Sequence, residues 1–188
     1  MRPNLEAPAD SRVARVTESD RRPEPPAQGP EHETLVAFLT WLRLTIERKT
    51  DGLDREQLNR THPPSMITLG GLLRHLAYVE DYWVGHILVG AEPEPPWSDA
   101  PWSDDGDWDW HSAVDDEPDE LRGLWRATVQ RSDRLLSGLE VDRPSALPRG
   151  QVGHVSVRWV LIHLIEEYAR HAGHADLIRE AIDGTVGE

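Results

Sequence analysis

The chain contains no cysteine. That removes disulfides and thiolate ligands together, so any metal must be held by His, Asp or Glu, and a reducing cytoplasm is the setting that suits it. Basic charge is also scarce, with 20 Lys and Arg against 34 Asp and Glu and a formal charge of −14. No Lys/Arg stripe offsets the resulting repulsion of phosphates and anionic lipid, which argues against nucleic-acid and membrane-surface partners and leaves a small molecule. No run approaches the roughly 20 apolar residues of a membrane span, and the first residues lack the apolar core of a signal peptide. Period-2 strand patterns are missing too. At 188 residues the chain suffices for one well-buried core and is short for two.

Residues 1–31 carry Pro3, Pro8, Pro23, Pro25, Pro26 and Pro30 among charges, with no periodic apolar pattern. Such a segment cannot bury enough surface to offset ordering, so it reads as a disordered tail before one domain over 32–188. The apolar spacing predicts a first helix from about His32 to Thr50, with Leu35, Phe38, Leu39, Leu42 and Ile46 on one face and Asp51 and Gly52 as its stop. A short helical turn over Leu53 to Arg60 ends before Pro63 and Pro64. A second long helix is capped by Thr68 and reaches about Val89, its inward stripe being Leu72, His75 or Leu76, Val79, Trp83 and Ile87.

From Ala91 to Asp116 the chain turns acidic and proline-rich, with Trp97, Trp102, Trp108 and Trp110. Loops of this length are uncommon in compact domains unless they cover something, and four indoles outside a periodic helix read as a packed lid, with substrate contact as the alternative. A third helix runs from Pro118 to Gly138, with Asp115 and Asp116 as caps or as charge at its positive end. In the connection over 139–155, Val152, His154 and Val155 are candidates for a brief extended pairing. Four amphipathic helices without an internal repeat predict an all-α four-helix bundle.

The last helix, from the Ser156 cap to Gly184, interrupts its apolar pattern with metal-capable side chains. Residues four apart stand nearly above one another on a helix, about 6 Å along the axis. His163, Glu167 and His171 therefore form one stripe, continued by His174 and bordered by Val160, Leu164, Tyr168, Ala175 and Ile178. A carboxylate and imidazoles taken out of water need partners, and a divalent cation is one of the few stable ones. His75 with the Glu167/His171 pair makes a three-ligand set that leaves one tetrahedral position open. By itself an E-x-x-x-H spacing arises as easily from a surface pair.

The segments TLGGLLRHLAYVEDYW and VRWVLIHLIEEYARHAGHADLIRE, with ERKTDGLDREQL between the first two helices, closely resemble the actinobacterial DUF664 branch of the DinB/YfiT-like metalloprotein superfamily. The resemblance extends from about Glu31 to the C-terminus. It implies a four-helix bundle with a divalent metal, zinc or nickel, held by His75, Glu167 and His171. Many members carry His where this chain has Glu167, whereas the related mycothiol-dependent maleylpyruvate isomerases, like this chain, carry a Glu. The resemblance further implies a low-molecular-weight thiol such as mycothiol as cosubstrate, in an S-transferase or isomerase. A metal-dependent hydrolase and a non-catalytic metal or small-molecule binding protein are the rival readings, with the chain a monomer or homodimer.

No catalytic acid or base is singled out beyond the ligand set. His163 and His174 are donors that orient the ligands, or alternate ligands, against a satisfied core histidine for His163 and a surface cation for His174. Glu80 reads as a solvated charge rather than a group at the site mouth. Glu166 pairs with Arg170 one turn on. Trp83 and Trp159 read as core, and Gly173 as a place where another helix comes close. His62, His86, His111 and His154 receive no role.

Overall fold

The computed structural model describes residues 22–187. Its helices are α1 (Glu31–Thr50), α2 (Arg55–Leu58), α3 (Leu69–Glu80), α4 (Trp108–His111), α5 (Pro118–Leu136) and α6 (Val157–Asp183), and no strand occurs among the described residues. The all-α expectation holds. Helix α3 continues without a break as a π-helix over Asp81–Leu88, so the second long helix of the sequence reading changes its winding halfway. Residues 1–21 of the expected tail lie outside the described residues. Arg22, the first described residue, reaches α1, where it donates to the Thr45 hydroxyl and its guanidinium lies 4.0 Å from the Trp41 ring centre.

Local signals set the helix ends. The Thr68 hydroxyl accepts from Gly71 N at 3.0 Å at the start of α3, and the Ser156 hydroxyl accepts from Trp159 N at 3.2 Å at the start of α6. Gly184 closes α6 with φ 78°, a conformation that suits glycine. The start of α5 departs from expectation, because its cap is Glu117, whose N–H is met by the Glu120 carboxylate at 3.0 Å, while Asp116 is taken by Arg74. The expected extended pairing of 139–155 reduces to two isolated bridges, Pro144 with Ser156 and Arg149 with Gly153, and Val152 sits in a 3-10 turn.

Helix α1 packs chiefly on α6 and α3 on α5, and α3 also touches α6, the contact that builds the site. Leu39, Ile46, Leu72, Leu76, Leu121, Leu164 and Tyr168 fill the shared interior. Phe38 does not join them; it is 46% exposed, so the buried face of α1 is narrower than its apolar pattern. Glu80 is the larger correction. It is fully buried and takes a bidentate contact from Arg43, with Nε and Nη2 both at 2.7 Å, while Arg43 Nη1 reaches Asp133 at 2.7 Å. A carboxylate on a largely apolar helix face was expected in water, yet here a guanidinium from α1 follows it into the core.

Candidate metal centre

Helix α3 presents His75 one turn after Gly71, and α6 presents Glu167 and His171 one turn apart. The α3–α6 packing turns these three side chains toward one another. Glu167 Oε2 lies 3.5 Å from His171 Nε2 and 3.9 Å from His75 Nε2, and all three donor atoms fall within 4.8 Å of one another. Ligands at about 2.0–2.1 Å from a tetrahedral zinc stand about 3.4 Å apart, so the spacing is close to that of a closed ligand face. Two imidazoles and one carboxylate, all largely buried, form a donor set that a hard-to-borderline divalent ion accepts.

The orientation of His75 is fixed from behind. Asp109, in α4 and only 4% exposed, meets His75 Nδ1 at 2.6 Å. A carboxylate there requires the proton on Nδ1, which leaves the Nε2 lone pair directed at Glu167 and His171. Trp110 stacks on the same imidazole, centroids 4.1 Å apart and planes 18° apart, and also lies 5.3 Å from His171. Gly71 permits this approach: a Cβ on it would meet the Trp110 carbonyl oxygen at 3.0 Å. The sequence reading put the close approach at Gly173 instead, where a Cβ would meet nothing within 4 Å.

The remaining tryptophans behave as a packed cover. Trp97 is buried, and Trp97, Trp102 and Trp108 gather around Tyr78 and each other, with the Arg74 guanidinium 4.6 Å from the Trp108 ring. Trp110 alone of the four turns to the candidate ligands. Of the expected lid, then, three indoles pack on one another and one stacks on a candidate ligand.

Residues 34–184 match the family model for mycothiol S-transferases. The chain belongs to the mycothiol S-transferase family, a family of DinB-like proteins. No functionally curated protein matches it. A solved structure, a conserved protein from Enterococcus faecalis, is 15% identical and superposes with a TM-score of 0.62 over 84% of this chain and 100% of that one. That likeness shows the fold. DinB-like proteins usually bind a metal, and the mycothiol S-transferase family implies a small-molecule substrate.

In this mycothiol S-transferase family member the second oxygen of Glu167 is also engaged, with Oε1 lying 3.5 Å from His163 Nε2. His163 in turn contacts Glu166, which is paired with Arg170 as the i,i+4 spacing predicted. His174 approaches His171 Nδ1 at 3.3 Å, on the side away from Glu167. His171, and next to it His75, hold the Glu167 carboxyl well below the usual carboxylate range against the opposing effect of burial. Burial pushes the His75 imidazolium down, but the Asp109 bond and the nearby Glu167 leave its pKa above the ordinary value. Burial pushes His163 down. Without an ion the cluster therefore favours an ionised Glu167 beside a His75 that holds its proton more tightly than a free imidazole. A divalent cation replaces such a proton electrostatically.

Sequence reasoning missed Asp109 and the part played by Trp110. Their segment offered one signal: Trp108–His111 is an aromatic and acidic tetrapeptide in a loop otherwise full of turn residues.

Proposed function

We propose that this protein is a metal-dependent thiol S-transferase or isomerase in which His75, Glu167 and His171 hold a divalent ion, zinc in the first instance and nickel in the second. The reading is carried by one observation. Two Nε2 atoms and one carboxylate oxygen converge from α3 and α6, while His75 Nδ1 is tied to Asp109. When bound, such an ion lowers the pKa of a thiol brought against it and supplies the charge that a thiolate needs. The cosubstrate this favours is a low-molecular-weight thiol of the mycothiol type, in keeping with the family.

The chain's own groups have separable tasks. Glu167 supplies the negative charge of the ligand set, so that a dication with two neutral imidazoles retains a net positive charge for an incoming thiolate. Asp109 keeps the His75 proton on Nδ1 and adds basicity to the ligating nitrogen. Trp110 covers the His75 ring and limits water at that side of the centre.

Protein purified without chelator or metal-binding tag is expected to carry about one equivalent of divalent metal, lost in His75→Ala, Glu167→Ala and His171→Ala. Unchanged metal in all three variants would reject the ligand set. Turnover is tested with mycothiol and a panel of electrophiles against a metal-stripped control, and equal rates in the two would reject the transferase reading.

A further inference from the structure

On the far side of Glu167 from His75 lies a second group of side chains that the metal site does not use. His163, 3.5 Å from Glu167 Oε1, is stacked on Trp159 with centroids 5.1 Å and planes 24° apart, and meets Trp83 edge-on at 4.5 Å. The π-helical winding of Asp81–Leu88 sets Trp83 in this position, and π-segments recur at functional sites. Over both indoles lies one guanidinium: Arg149 Cζ is 5.0 Å from the Trp83 ring centre and 5.1 Å from that of Trp159.

Arg149 is exposed, but its backbone is pinned. Its N–H donates to Gly153 O at 2.9 Å, and its carbonyl accepts from Val152 N at 3.0 Å, so the loop between α5 and α6 presents the side chain in a set place. Among the described residues it makes no ion pair. Arg43, Arg74, Arg131 and Arg158 each sit against a carboxylate. In a chain of formal charge −14, an arginine beside the site without an acidic partner runs against the prevailing pattern. Resting on ring faces leaves its N–H edge free, and that edge fits a carboxylate through two parallel hydrogen bonds.

We propose that Arg149, held over Trp83 and Trp159 next to His163, is the anion-recognition residue of this site and selects a substrate bearing a carboxylate. The metal ligands take the thiol end of the reaction, and the Arg149 group orients the acid end of the electrophile. The catalytic side of this inference rests on the transferase reading; the binding side does not.

The experiment therefore has two arms on the metal-loaded protein. In the first, calorimetry compares 3-succinimidopropionate, which does not react with thiols, with its neutral amide. Wild type is expected to bind the acid at least about tenfold more tightly than the amide, the scale of a charge-assisted pair. Arg149→Met, which keeps an apolar stem over the indoles, is expected to bind the two equally, and Arg149→Lys to keep a preference for the acid. Metal content and melting temperature are checked in each variant. Equal binding of acid and amide by wild type, or a preference for the acid that survives Arg149→Met, would overturn the proposal. In the second arm, the KM of mycothiol addition is compared for 3-maleimidopropionate and N-ethylmaleimide. An acid preference in KM that collapses in Arg149→Met is the expected result, and one that persists counts against Arg149. If neither electrophile reacts, the transferase reading fails, while the binding arm still decides for or against Arg149.

Discussion

Asp109 offers the sharpest test of the candidate centre, because the side-chain bond it makes among the described residues goes to His75 and not into the ligand cluster itself. Its carboxylate is 4% exposed and stands 2.6 Å from Nδ1, a short contact in a poorly solvated place. Hydrogen bonds to a charged partner contribute about 1.5–3 kcal/mol, and loss of such a group behind a metal-ligating histidine typically weakens metal binding by about 10–100-fold. Asp109→Asn keeps an acceptor oxygen but loses the charge, so its effect should fall near tenfold. Asp109→Ala frees the ring to turn and to exchange its tautomer, and should approach a hundredfold. Competition with a chromophoric zinc chelator at fixed pH measures both, and the melting temperature of the metal-free variants separates loss of affinity from loss of fold. Wild-type affinity in Asp109→Ala would refute the assignment, and so would an order in which Asn is the worse substitution.

Four further outcomes rest on the same geometry. In the metal-free protein the folded pKa of His75 is raised above its unfolded value of about 6.5, so its stabilising contribution is whole below about pH 6.5 and lost as pH rises through the folded value; melting temperature against pH in wild type and His75→Ala checks the sign. Since a metal must displace that proton, apparent affinity should climb about tenfold per pH unit until the raised value is passed, and chelator competition across pH reads it. Glu80→Ala leaves the Arg43 charge in the core with Asp133 as its remaining carboxylate and should cost about 3–5 kcal/mol, whereas Arg43→Met with Glu80→Leu should recover most of the loss in urea unfolding. Gly71→Ala should cost about 1–3 kcal/mol by pressing on the Trp110 carbonyl, with a change in tryptophan fluorescence and weaker metal binding.

What could be read from the sequence follows from how local each feature is. The ends of α3 and α6 are set by Thr68, Ser156 and Gly184, whose chemistry acts over three or four residues, and those were legible. The Glu167/His171 stripe was legible too, because helical spacing alone puts the two on one side of α6. His75 was a weaker inference, since nothing within α3 distinguishes an imidazole facing α6 from one satisfied in the core. Asp109 was not legible at all. It lies 34 positions from His75 in a segment with many Asp residues, and only the tertiary approach over Gly71 selects it from among them. Glu80 failed for a related reason: an acidic residue is correctly expected in water unless a partner arrives, and its partner comes from a different helix.

The two failures share a cause that bears on how the centre is held. Both Asp109 and Glu80 are carboxylates drawn out of solvent by a single basic side chain, and they attach to α3 at either end of the stretch from His75 to Glu80. One fixes the rotation of His75 from the loop side, and the other locks α3 to α1 about one turn further along. With α6 already packed on α1, this defines the distance between α3 and α6, and so the gap between His75 Nε2 and Glu167 Oε2, by charged contacts and not by apolar packing alone. Apolar packing tolerates small slips, because its energy varies smoothly with position. Short charged contacts are less forgiving, since they weaken steeply once donor and acceptor leave alignment. A three-ligand centre needs its donors placed to within about 0.5 Å, which the bidentate Arg43–Glu80 contact and the Asp109–His75 bond are suited to supply.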